Sequence, residues 1–169
     1  KNSAVRLLLV GAGDRLHPTG LTEAEEKTLR TSTLVHDAGF RNDVERFLPA
    51  ADVMIFPSQR EGMPVCLMEA LAAGVPAITR DARGSRDVVR DGVDGLVLRE
   101  CTDESLSNAM AGLASEPATR REMSARALDG RERFDRARFV AEQTRVYETS
   151  LHTSSQAGAA SLANLEGVK

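Results

Sequence analysis

"REGMPVCLMEALAAGVP", Arg60 to Pro76, is the stretch on which the fold turns. From Pro64 to Ala73 every residue is apolar except Glu69. A segment apolar in every direction predicts a helix buried on all sides. A carboxylate inside such a helix is costly unless something specific pairs with it. Glu69 therefore demands a partner, and a second glutamate, Glu61, stands just before the helix.

Working outward, the neighbours of this helix alternate between strand and helix patterns. "ADVMIFPS" before it and "GVPAITR" after it read as apolar strands. Further upstream, "AVRLLLVGAG" is a strand ending in a glycine turn. "TEAEEKTLRTS" is a polar helix with Thr22 as N-cap and acids in its first turn. "TLVHDAGF" is a second strand, and "NDVERFLPAA" a short helix capped by Asn42 or Asp43. Downstream, "GSRDVVRDG" is a short helix or turn, and "GLVL" a fifth strand entered through "DGVDG". This alternation, with central strands apolar on both faces, predicts an α/β fold: one open, Rossmann-like parallel sheet wrapped by helices.

After Leu98 only helical patterns remain. "TDESLSNAMAGLASEP" opens on a capping-box-like Thr102/Asp103, and "TRREMSARALDGRERF" ends near Gly130. "RARFVAEQTRVYETSL" carries Phe139, Val140, Val146 and Tyr147 at helical spacing. The small, polar residues 151–169 read as a flexible tail. The expected organisation is thus a domain over residues 1–150 and a tail.

Bulk properties narrow the function. The 169 residues are 41% hydrophobic and 28% charged, as in an ordinary globular domain. A formal net charge of −3 gives no basic footprint, so no nucleic-acid partner is expected. No apolar run approaches the ~20 residues of a membrane span. The start does not read as a signal peptide. Cys66 and Cys101 lack zinc spacing and suggest a reduced, cytoplasmic chain. With 4% aromatics and no Trp, a module that grips sugars by stacking is disfavoured. His17, His36 and His152 show no metal or triad spacing.

In parallel α/β sheets, ligands bind outside the carboxyl ends of the strands. Three features fall there: Gly11-Ala12-Gly13, Phe40-Arg41-Asn42, and Ser58 to Pro64. In the third, Gly62 allows close backbone approach, and Pro64 suits the first helical position. The free N–H groups near Met63, Val65 and Cys66 then form an anion site. Glu69 lies five residues beyond Pro64, roughly 7–8 Å along the axis. Two acceptor-only carboxylates flanking an anion site match hydroxyls, phosphate, hydroxyls in order. A nucleoside diphosphate sugar has that order.

"EGMPVCLME" also fits an E-x7-E signature, Glu61 to Glu69. With "LLLVGAGD", "GFRNDVERFLPAADVMIFPSQREGMPVCLMEALAAGVPAI" and "DGVDGLVL", the chain from about Val5 to Tyr147 resembles the C-terminal, donor-binding domain of retaining glycosyltransferases of family 4, the glycosyl transferases group 1, with the GT-B fold. The resemblance implies roles. Glu61 would hold hydroxyls of the transferred sugar at the catalytic centre, and Glu69 the ribose. The Gly62–Cys66 backbone would hold sugar and diphosphate. Gly11 and Gly13 would admit the diphosphate, and the backbone around Arg41 would meet the base. It implies retaining transfer to a glycan or lipid-linked acceptor, with no metal or other cofactor and no protein nucleophile. The segment Thr79 to Leu98 resembles bacterial surface-polysaccharide members, acting in the cytoplasm or peripherally at the inner membrane.

The chain departs from the family pattern in lacking the preceding Arg- and Lys-bearing strand segment and the N-terminal acceptor domain. On that reading it is one half of an enzyme, inactive alone, whose partner is the missing domain or another chain. Asp94 stands where the family often has Asn, read as a neutral change at a turn. Other readings stay open. Glu69 could pair with Arg80 or a backbone N–H, and Glu61 could be a solvated loop residue. Arg41 and Arg86 could be mere surface charges, although Arg86 could also approach a phosphate. The chain could be a non-catalytic nucleotide-sugar-binding subunit of a split transferase. Gly11-x-Gly13 with Asp37 could belong to an NAD-binding fold, though Leu16 occupies the third glycine position.

Overall fold

The computed structural model describes residues 5–11 and 20–166, with side chains described to residue 151. The chain forms two units, dividing between Gly130 and Arg131.

The first unit is the α/β part. Its strands are β1 (Leu7–Leu9), β2 (Val35–Asp37), β3 (Met54–Phe56), β4 (Ala77–Arg80) and β5 (Gly95–Leu98). Its helices are α1 (Glu23–Thr31), α2 (Val65–Ala72), α3 (Ser85–Val88), α4 (Asp103–Ser115) and α5 (Pro117–Asp129). All strand pairs are parallel, as the alternation predicts. They form two sheets, β1-β2 and β3-β4-β5, rather than one sheet of five strands. Strands of three residues carry the ladders of β1 and β3 on one edge only.

Neighbouring residues of a strand point to opposite faces. Ala77, Ile78 and Thr79 are all buried in succession, so β4 is covered on both sides. Ile78 packs with Leu113 of α4 and Met123 of α5, and Ile55, Leu96 and Met110 close around them. Thr79 keeps its hydroxyl satisfied in this apolar setting by donating to the Phe56 carbonyl at 2.8 Å.

Local chemistry sets the helix ends. Thr22 caps α1, and Glu25 reaches back to the Thr22 N–H at 2.8 Å, a reciprocal box. Those hydrogen bonds hold the Glu25 carboxyl below its ordinary range. Thr102 caps α4 through the Ser105 N–H, so the partner is Ser105 rather than the adjacent Asp103. "NDVERFLPAA" forms two 3-10 turns, Val44–Arg46 and Leu48–Ala50, instead of one helix. Asp43 precedes the first turn but makes no side-chain cap, and both its oxygens accept from Arg41 instead.

The turn before β5 is not solvent-facing at Asp94, which is 0% exposed. Its carboxylate accepts the Arg90 backbone N–H at 2.8 Å and the Arg90 Nε at 2.7 Å. Arg90 Nη2 then donates to the Arg126 carbonyl in the last turn of α5, at 3.0 Å.

The second unit holds a 3-10 turn, Arg131–Phe134, and α6, Arg136–Glu166. Phe139, Val140, Val146 and Tyr147 of α6 are exposed. The helical backbone continues past His152, where the sequence reading ends it. Alanines recur in that segment, and they have the highest helix propensity.

Candidate donor-binding site

The helix carrying the two glutamates is not buried all round. Leu67, Ala70 and Leu71 face the core at 0% exposure. Val65, 62% exposed, and Glu69, one turn further on, share an open face. Apolar composition misleads here because one side of α2 is left uncovered. Glu69 thus sits in water and needs no protein partner. Its carboxylate makes no hydrogen bond or ion pair with any described residue. Arg80, the alternative structural partner, donates to the Cys101 carbonyl at 3.1 Å instead.

Pro64 lies one position earlier than expected, at the N-cap, with extended backbone. Its carbonyl accepts the Leu67 N–H at 3.1 Å, so the helix begins at Val65. The N–H groups of Val65 and Cys66 head the helix with no backbone acceptor among the described residues, backed by the positive end of the dipole. Met63, 58% exposed, and Gly62 precede them. No described residue lies within 4 Å of where a Gly62 Cβ would stand, leaving room beside this backbone for a ligand.

Glu61 is half-buried and held from two sides. Its Oε1 accepts the Ser58 hydroxyl at 2.8 Å. Behind its backbone lies Gly84, where a Cβ would stand 2.5 Å from the Gly62 carbonyl oxygen and 2.8 Å from that of Glu61. Gly84 also has a φ of +84°, so the close approach and the conformation both select glycine.

Cys66 is half-buried in the first turn of α2. Burial pushes its thiol above the ordinary range, the Leu67 N–H opposes that, and both Glu61 and Glu69 push it further up.

A second cluster lies at the carboxyl ends of β1 and β2. The Gly11 N–H donates to the Gly39 carbonyl at 2.8 Å, joining the two loops. Asp37 accepts the Gly39 N–H at 2.9 Å, so this acid braces its own turn. Arg41 grips Asp43 with two hydrogen bonds, at 2.9 and 3.0 Å, and lies over the Phe47 ring. The hydrogen bond from Arg41 holds the Asp43 carboxyl below its ordinary range, against a smaller opposing effect of burial. The Arg41 side chain is thereby committed to its own loop, beside an exposed Phe40. Arg86 pairs with Asp81 at 3.0 Å. Gly13 lies outside the described residues.

Ser58 and Gly84 are contributions that the sequence reading does not assign. Ser58-Gln59-Arg60-Glu61 has the hydroxyl-x-x-acid spacing that often marks a reciprocal pair, and that pattern points to Ser58. Gly84 meets Glu61 only through the tertiary fold.

Residues 1–129 match the family model described as glycosyl transferases group 1, and the chain belongs to that family. It is 31% identical over 162 residues to a phosphatidyl-myo-inositol mannosyltransferase of Mycobacterium leprae, covering 93% of this chain and 41% of that protein. The crystal structure of Anabaena Alr3699/HepE in complex with UDP superposes with a TM-score of 0.73 at 22% identity, over 88% of this chain and 41% of that one. WaaG, a glycosyltransferase involved in lipopolysaccharide biosynthesis, gives 0.64 at 25% identity, over 75% and 34%. The fold is that of a GT-B glycosyltransferase domain. The chain spans about two fifths of the length of the mannosyltransferase. Among the described residues no helix is long and apolar enough to cross a membrane.

Proposed function

We propose that this chain is the donor-binding part of a retaining glycosyltransferase of family 4, taking a sugar from a nucleoside diphosphate sugar. One observation carries the reading: an exposed Glu69, whose carboxylate has no partner among the described residues, and a braced Glu61 flank the N-terminus of α2. A carboxylate without a protein partner is ready to accept two hydroxyls of a ribose. The Val65 and Cys66 N–H groups meet the diphosphate, and Glu61 meets hydroxyls of the transferred sugar. The loops at Gly11 and Arg41 face the rest of the nucleotide, with the Arg41 contact through backbone.

The chemistry follows from where charge develops. As the sugar leaves, negative charge gathers on the diphosphate, and fixed N–H groups aimed at it lower the barrier. The helix supplies that positive field, so the reading calls for no bound metal. A glycan or lipid-linked acceptor in bacterial surface-polysaccharide synthesis is the proposed recipient. The names of the Mycobacterium leprae protein and WaaG support a lipid-linked glycan product.

The test is a calorimetric titration of the chain with UDP, UDP-glucose, GDP and GDP-mannose. Saturable binding of a nucleoside diphosphate and its sugar, weakened by Glu69→Gln, is expected. Absence of nucleotide-sugar binding, with saturable binding of NAD titrated in parallel, would overturn the reading.

A further inference from the structure

We propose that Ser58 is a positioning residue for Glu61, setting the direction in which its carboxylate meets the sugar. The inference rests on the role given to Glu61 above and adds a residue to it. A glutamate in a loop has three rotatable side-chain bonds and loses entropy when one direction is imposed. Ser58 imposes that direction before any ligand arrives. Its hydroxyl donates to Oε1 at 2.8 Å, which occupies one of about four acceptor positions on the carboxylate. Oε2 and the remaining lone pairs stay available to sugar hydroxyls.

The brace is anchored to the sheet. Ser58 follows Phe56 and Pro57 at the carboxyl end of β3, and the Phe56 carbonyl is tied to Thr79 of β4 at 2.8 Å. Thr79 is itself buried. The Glu61 backbone rests on Gly84, so neither end of the residue is free to swing. Sheet, hydroxyl and carboxylate form one continuous chain of contacts, and Ser58 is its only side-chain link to Glu61 among the described residues.

The experiment compares Ser58→Ala, Ser58→Thr and Glu61→Gln with the unaltered chain, each titrated with UDP, UDP-glucose, GDP and GDP-mannose. Ser58→Ala should weaken the nucleotide sugar about fivefold, in line with one orienting hydrogen bond. Its effect on the bare diphosphate should stay under about twofold. Ser58→Thr, which keeps the hydroxyl, should restore sugar-nucleotide affinity. Thermal melts verify that each variant is folded. Equal weakening of diphosphate and nucleotide sugar by Ser58→Ala would mean a structural role and overturn the inference, as would no weakening or no rescue by threonine. If Glu61→Gln selectively weakens the nucleotide sugar but Ser58→Ala does not, the inference alone falls. If Glu61→Gln shows no such selectivity, the proposed role of Glu61 falls and takes this inference with it.

Discussion

Arg90 wraps the buried Asp94, giving it both its backbone N–H and its guanidinium Nε, at 2.8 and 2.7 Å. The free arm of the same guanidinium reaches the Arg126 carbonyl at the end of α5. One ion pair thus ties the turn before β5 to the last helix of the α/β unit.

Removing the Asp94 carboxylate should therefore be costly. The Arg90 side chain is partly exposed, so the loss falls below that of a fully buried pair. Asp94→Ala should destabilise by about 2–4 kcal/mol. Asp94→Asn keeps an acceptor for the Arg90 N–H and should cost about half as much. Urea unfolding of both variants measures the difference. A loss under about 0.5 kcal/mol for Asp94→Ala, the usual range for surface changes, would show that the pair contributes little.

Glu69 should behave in the opposite way. Its carboxylate is exposed and has no partner among the described residues, so Glu69→Gln should shift stability by no more than about 0.5 kcal/mol. The same variant should weaken UDP and UDP-glucose alike. A melting curve and two titrations suffice. A stability loss above ~2 kcal/mol with unchanged nucleotide binding would make Glu69 structural.

Gly84 should tolerate no side chain. Its φ of +84° and the 2.5 Å approach to the Gly62 carbonyl act together. Gly84→Ala should destabilise by about 1–3 kcal/mol. It should also displace the Glu61 loop, lowering nucleotide-sugar affinity more than diphosphate affinity. Wild-type stability in chemical unfolding would contradict the close packing seen here.

Cys66 offers a pH-dependent readout. The thiolate is the reactive form, and burial and both glutamates disfavour it. Glu61→Gln or Glu69→Gln removes one negative charge and should bring the thiol back toward its ordinary range. Below the thiol's pKa, that change raises the thiolate fraction. Alkylation of Cys66 by iodoacetamide at about pH 8, followed site by site with mass spectrometry, should then quicken in both variants. Unchanged rates would mean that the carboxylates do not act on Cys66.

The sequence by itself determined the order of strands and helices, the parallel pairing, the caps at Thr22 and Thr102, and the pairing of Glu61 with Glu69 on one loop–helix unit. These follow from local causes: apolar runs between turn residues, hydroxyls before acidic first turns, and fixed spacing along a helix. Which surfaces are covered was decided by the tertiary structure. Apolar residues all round α2 suggested a buried carboxylate, yet packing covers Leu67, Ala70 and Leu71 and leaves Val65 and Glu69 open. The buried carboxylate is Asp94, in a turn whose sequence looks solvent-facing, because Arg90 folds back over it. The division into two sheets and the seat of Gly84 behind Glu61 likewise depend on segments distant in the chain. Burial depends on which distant segments cover a residue, and composition alone does not specify that.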